Sequence, residues 1–488
     1  MASKDMSFFG FNRPEYIPTP ELALSELAWS LVPPSVIQEL RSSAPRGIAF
    51  GSRGNTSKTP PVYTKPKSGS EEFSAFSRQV KNTLSLNDAD AVAVSRVLLS
   101  ELELFGSQKA SRSVAAPLSL PLALLQERSG VTGKRNPANI ALILEQAFAL
   151  GQGENSAATC LLNAYTGNAG KGLPGWIDET IASLLSQSGN AALQSLSTSP
   201  PTTAGLSLRV PSWVEKADST PFRWFATTWG RLCNDGWIDA MPRRRWSDWA
   251  SCVTRTAIGT SFLFEMHLYY RLVPALVSDQ EPRDTVAACL DESNRLLAWD
   301  ASKRRAAQDV GPAINRLAES GSKCQSLLNE LAGELELPAP ADFDSDPDGL
   351  VNWLSEARGA LSPAKSQVSK WIARKLDDKP PSSAKNVRET IRYSLLDRGA
   401  GQSIDLYSLL RGAGPITYVD PGQEWLVTMA SLCSAGPGQP TRIVALNRAL
   451  AQLGISAATP TLVERLEAFG LSRSSHDADD AIEIQPAF

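Results

Sequence analysis

The side chains best placed for chemistry are arginines beside tryptophans. Arg243, Arg244 and Arg245 stand directly before Trp246, with Trp249 a turn further on. Guanidinium groups next to aromatic rings can hold single-stranded nucleic acid, by charge on the backbone and stacking on the bases. The plainer reading puts the tryptophans in a core and pairs the arginines with local acids such as Asp239 and Asp248. A run of cations at a helix start opposes the helix dipole, which points to an external anion or an acidic partner. A second basic group lies between Leu361 and Arg398, where nine Lys or Arg face four acids. Lys385, Arg388 and Arg392, spaced i, i+3 and i+7, share a helical stripe, and Lys370 and Arg374 pair similarly one helix earlier. That stripe is either a phosphate-tracking surface or a solvated helix face.

Other groups offer less. Asp344, Asp346, Asp348 and Gly349 resemble the start of a calcium loop, but the twelfth position, which must supply a bidentate glutamate, is Ser355. Helix capping by aspartate accounts for the cluster, and no metal site is expected. The chain has two histidines. His267 follows Glu265 by two positions, which puts them about 200° apart on one helix, so each is expected to be satisfied separately in the core. His476 falls in a polar turn. Gly167–Gly172 and Gly130–Arg135 lack the spacing and the Ser or Thr of a P-loop. H-E-x-x-H, G-x-S-x-G and a G-x-G-x-x-G after a strand are also missing. No catalytic or cofactor-binding residue is therefore predicted, and no cofactor.

These residues need a frame to position them. At 488 residues several domains are expected. The 42% hydrophobic and 20% charged fractions describe a chain that folds, and a net charge of −3 gives no global signature of nucleic-acid or membrane-surface binding. Six cysteines are scattered without a C-x-x-C pair and read as buried thiols in a reducing compartment. Met1 to Asn12 shows no signal-peptide pattern, and the most apolar stretch, Thr256 to Val277, is broken by Glu265, His267 and Arg271. The expected setting is cytoplasmic, without a membrane.

Apolar periodicity predicts a mainly α fold: a multidomain helical body with a small module at the C-terminus. Residues 1–75 read as irregular, with one helix over Pro20–Trp29 and an exposed linker over Arg46–Ser70. Residues 76–200 read as helical. Asn136-Pro137 opens a helix carrying Ile140, Ile143, Leu144, Ala147 and Phe148, and Ser188–Thr203 reads as a loop. Residues 201–340 form a Trp-rich helical domain: six of the twelve tryptophans lie between Val210 and Leu276, and a long buried helix starts near Trp246. There Trp299, Ala306, Val310, Ile314 and Leu317 suggest one helical stripe, with Gly321 as a break. Residues 341–415 form a basic helical segment of three helices, the second ended by Pro380-Pro381.

Residues 416–488 complete the division. A helix with Trp425, Leu426, Met429 and Leu432 is followed by one that Thr441 caps and by a third with a Thr461–Glu464 capping box. Short strands then follow at Leu471–Ser474 and Ala481–Pro486, with Ile482 and Ile484 on one face. Helix, helix, turn, helix and hairpin resembles the winged helix-turn-helix superfamily over Asp420–Phe488. The resemblance implies a third helix for the DNA major groove and a wing on the backbone. This sequence departs from that pattern. The third helix offers Glu464, Arg465 and Glu467, the wing offers Asp477, Asp479 and Asp480, and an acidic face opposes phosphate. Protein is the better expected partner of this module.

The functional expectation is a non-enzymatic scaffold or adaptor that joins other protein subunits, in an assembly such as a DNA-handling or phage-defence complex. The alternatives are direct nucleic-acid binding through the two basic groups, and an enzyme with a pocket near Glu265, His267 and the tryptophans.

Overall fold

A computed structural model describes residues 23–33, 35–36, 39, 68–101, 116–124, 140–167, 187–198, 218–292, 296–337, 349–397, 405–473 and 482–488. The fold is mainly α, as expected, and is organised around one helix. Its elements in chain order are α1 (Ala23–Leu31), α2 (Glu71–Leu84), α3 (Asp88–Glu101), α4 (Leu120–Leu124), α5 (Ile140–Leu150), α6 (Ala157–Gly167), α7 (Gln187–Thr198), α8 (Pro221–Asn234), α9 (Trp237–Ala240), α10 (Arg243–Ala275) and α11 (Pro282–Glu292). Then come β1 (Leu297–Trp299), α12 (Gly311–Glu334), α13 (Gly349–Leu361), α14 (Lys365–Asp377), α15 (Ser382–Leu395), β2 (Leu410–Ala413) and β3 (Ile416–Val419). The C-terminal unit contains α16 (Gln423–Ser431), β4 (Thr441–Arg442), α17 (Ile443–Gln452), β5 (Ile455–Ala457), α18 (Thr459–Ala468), β6 (Ser472–Arg473) and β7 (Glu483–Ile484).

The central α10 runs for 33 residues and starts at Arg243, three before the expected Trp246. Apolar residues surround it, so it is buried on every side for most of its length. Its polar positions are satisfied locally. Thr254 Oγ1 donates to the Ala250 carbonyl at 3.1 Å and Thr260 Oγ1 to that of Thr256 at 2.7 Å. Helices α12 and α15 pack closely against it, and α8, α11, α5 and α1 complete its surround. Glycines set the closest approaches. A Cβ at Gly321 would lie 2.6 Å from the Met266 carbonyl oxygen, and one at Gly259 would lie 2.5 Å from Leu395 Cγ. Gly321 therefore does not break α12. It lies inside the helix, at the place where α12 presses on α10.

Tryptophans close the layer formed by α5, α6 and α8. Trp229 Nε1 donates to the Ala157 carbonyl at 2.9 Å and Trp246 Nε1 to that of Leu232 at 3.1 Å. Trp224, Trp229, Trp237, Trp246 and Trp249 are all buried. Trp213 lies outside the described residues, as do Asn136-Pro137, positions 46–67, the Asp344–Asp348 cluster and His476. Where α7 stands, the sequence suggested a loop. Its serines and amides form a solvated face, while Gly189 and Leu196 turn inward. The expected stripe from Trp299 to Leu317 also divides: Trp299 is in β1, Ala306 is exposed, and the helix begins only at Gly311.

The strands are short. The expected pairing of Leu471–Ser474 with Ala481–Pro486 is present as β6 and β7, whereas β4, the β1–β5 pair and the β2–β3 hairpin went unanticipated. A hairpin joins β2 and β3 through Gly414, whose φ of +61° suits glycine. β1 pairs in parallel with β5, Leu297 to Ile455 and Trp299 to Ala457. In the C-terminal unit β4, β7 and β6 form an antiparallel sheet in that order, with Thr441 opposite Ile484. Thr441 is thus a strand residue rather than a helix cap, and Arg442 precedes α17. The capping box at Thr461 is not formed either. α18 starts at Thr459 with Pro460 in its first turn, and Thr461 is buried inside it. No described helix is long and apolar enough to cross a membrane.

Candidate functional site

The arginine run begins α10, and each member faces a different part of the fold. Arg243 is buried. Its Nη1 donates to the Leu118 carbonyl at 3.4 Å, and its guanidinium lies 5.9 Å from the centre of the Tyr165 ring. Arg244 Nε reaches both carboxylate oxygens of Asp248 at 3.1 Å, one turn along the helix. Arg245 Nη1 bonds Glu424 at 2.6 Å and the Tyr407 hydroxyl at 3.1 Å. Burial, and then the nearby Asp248, push the Tyr407 hydroxyl well up, so it stays neutral as an acceptor. Asp248 is also raised, by burial, which outweighs the lowering pull of Arg244 and Arg245. The expected pairing with Asp248 is thus present, and the anions that offset the helix dipole come from within the chain.

The chain uses a similar device further along α10. Arg255 Nη2 bonds Asp405 at 2.9 Å while its Nε donates to the Ser394 carbonyl at 3.3 Å. Asp405, Tyr407 and Glu424 had no signal in the sequence, because they lie about 150 residues or more from their partners in the chain.

The second basic group lies on α14 and α15, which both pack on α12. Lys370, Arg374, Lys385 and Arg392 are exposed and Arg388 is half-buried. α12 supplies acids to this face: Glu319 lies 3.9 Å from Arg388, and Glu330 lies 3.1 Å from Lys375. Lys385 approaches Glu389 at 3.9 Å on its own helix. Lys370, Arg374 and Arg392 form no ion pair among the described residues. The face therefore carries three uncompensated cations within a largely balanced surface.

Glu265 and His267 are both buried in α10, and Glu265 accepts a bond from the Tyr269 hydroxyl at 2.7 Å. No substrate can reach these enclosed groups, so they do not form the open acid/base site of the enzyme reading. Six cysteines are free thiols, all buried except the partly exposed Cys433. Burial pushes Cys324 and Cys433 up to about 12, which leaves both thiols protonated and unreactive. No group of His, Cys, Asp or Glu suited to a metal occurs among the described residues.

The C-terminal unit is held to the body at several points. β5 pairs with β1, and the Ala458 amide donates to the Trp299 carbonyl at 3.0 Å. The Ala301 amide donates to the Thr461 hydroxyl at 3.2 Å. Arg231 Nη1 binds the carbonyls of Leu432 and Cys433 at 2.9 and 3.1 Å. Asp420 bridges Arg411 and Arg465 at 3.3 Å each, and Arg411 also holds Asp397 at 3.1 Å. On α18 the exposed side chains include Glu464 and Glu467. Asp477, Asp479 and Asp480, expected in a wing, lie outside the described residues. No family model matches the chain, and no curated protein matches it in sequence.

Proposed function

We propose that the chain is a non-enzymatic scaffold subunit of a larger intracellular assembly, and that its C-terminal unit is a winged-helix-like module fixed to the helical body. The sheet order β4–β7–β6 around three helices supports the module reading. One observation carries the scaffold reading: β1 pairs with β5, the segment leading into α18, and Ala301 bonds Thr461 in the first turn of α18. In a DNA-reading winged helix, the start of the third helix contacts the base edges. Here that end is tied to the body through Thr461, and the exposed side chains beyond it include two glutamates. A partner of such a module is a protein rather than a DNA groove. An assembly that handles DNA, phage defence included, fits a scaffold of this kind. Purification from the native host through a tag, with and without nuclease, tests the reading. Protein partners that persist after nuclease are expected, and a solitary monomer under both conditions would overturn it.

A second reading rests on Lys370, Arg374 and Arg392, exposed and without ion pairs among the described residues. In it α14 and α15 bind nucleic acid through the phosphates. Replacing all three by Glu should flatten the dependence of log K on log salt by roughly 3, about one unit per phosphate contact. An unchanged slope removes this reading and leaves the scaffold reading intact.

A further inference from the structure

A cleft of about 240 Å³ opens between α5, α6 and α8. Phe148, the turn Gly151–Glu154, Cys160, Arg223, Ala226, Thr227, Gly230 and Asn234 line it. The turn is pressed tightly into place. A Cβ at Gly151 would overlap the Phe222 carbonyl, and one at Gly153 would overlap the Phe148 ring. Between them Gln152 takes a left-handed φ of +59°, at a position where glycine is the easier residue. Its side chain gives that choice a purpose: Arg223 Nη1 donates to Gln152 Oε1 and to the Gly151 carbonyl, both at 3.1 Å. Arg223 sits in the first turn of α8, where the dipole disfavours a cation. A strained residue and an adverse position thus combine to orient one guanidinium at the cleft.

The remaining lining defines what fits. Among the described lining residues Arg223 is the one cation and Glu154 the one carboxylic acid. Asn234 hydrogen-bonds to Cys160, and burial raises the thiol in spite of that bond, so Cys160 is a neutral wall and not a nucleophile. Phe148 and Ala226 give an apolar side. Gly230 lies inside α8, and a Cβ there would meet no atom within 4 Å, so the missing side chain leaves open space and relieves no clash. One cation, one anion and an apolar wall complement a zwitterion with an apolar side chain. The volume holds about ten heavy atoms at roughly 20 to 30 Å³ each.

We propose that this cleft binds a free α-amino acid, with its carboxylate on Arg223, its ammonium on Glu154 and its side chain against Phe148. Calorimetric titration of the full chain with the standard L-amino acids tests it. Saturable binding of apolar members at a Kd of about 1 mM or tighter is expected. The N-acetyl and methyl-ester forms of the best binder, which each remove one charge, should bind at least tenfold more weakly. Gly230→Leu, which fills the cleft without touching a charge, should abolish binding while the melting temperature holds. Arg223→Lys should retain part of the affinity that Arg223→Gln loses. Absence of saturable binding by any of these amino acids would overturn the proposal, as would equal binding by a folded Gly230→Leu protein. Equal binding of the N-acetyl form would overturn the ammonium contact and the zwitterion with it.

Discussion

At the residue scale, the chain places charges where their partners are already fixed. Arg244 meets Asp248 on its own helix, while Arg245 meets Glu424 and Arg255 meets Asp405, and these last two pairs join α10 to distant segments. Glu145 on α5 does the reverse with an anion. Its two carboxylate oxygens accept the Ala157 and Ala158 amides at 2.9 and 2.8 Å and so cap the start of α6. Burial raises its carboxyl above the ordinary value of 4.5, and the Ala158 and Ala157 bonds offset this only in part. A carboxyl raised in the fold holds its proton more tightly when folded than when unfolded. The stability it contributes is full below 4.5 and is lost as pH rises through the folded value. Glu145→Gln removes that titration. The unfolding free energy of wild type minus that of E145Q should therefore be largest near pH 4 and shrink as pH rises, as read by urea denaturation across the range. A gap independent of pH would mean that burial does not govern this carboxyl.

At the element scale, two glycines on α12 should respond in opposite directions to the same substitution. Gly321 touches the Met266 backbone, so Gly321→Ala forces α12 away from α10 and should cost about 1–3 kcal/mol. Gly333 faces open space near the end of the helix, so Gly333→Ala should add about 0.5–1 kcal/mol by helix propensity alone. Denaturant midpoints with an unchanged slope would check both, and a neutral Gly321→Ala would show that the two helices are not in tight contact. The same glycine marks a limit of what the sequence reveals. Periodicity located α5, α13 and α15 well, because each buries a regular apolar stripe such as Val387, Ile391 and Leu395, and α10 showed itself as a long run apolar on all sides. It missed β1, β5 and the β2–β3 hairpin, whose three or four residues carry no periodic pattern and are strands only by virtue of their partners. It read Gly321 as a break because contact between helices is invisible along one chain. Of the arginine run, the pairing with Asp248 was legible at four residues' distance, while Tyr407 and Glu424 were not. The cleft beside Arg223 had no sequence signal at all, since the turn at Gly151–Glu154 and the face of α8 meet only in the fold.

At the scale of the whole molecule, the buried apolar residues from Ala23 to Ile484 link into one cluster, and the C-terminal unit is part of it. Trp249 of α10 packs its ring 5.6 Å from that of Phe488, and Trp425 Nε1 donates to Thr256 Oγ1 in the centre of α10 at 3.0 Å. β5 completes a strand pair that β1 cannot form alone, and an isolated three-residue strand has no stability of its own. If the module docked as an independent bead, it would melt by itself with an enthalpy of roughly 50 kcal/mol, the value for about 70 residues. The shared core instead predicts that residues 416–488 unfold together with α10, in one calorimetric transition that also quenches the buried tryptophans. A chain ending at 415 would leave Trp249, Trp299 and Leu297 facing water and should lose the sharp transition, with exposed apolar surface reported by dye binding. Deletion of 416–488 with the body's melting profile intact would show the reverse: a separable module, free to present α18 to a partner, and a scaffold reading stripped of its main support.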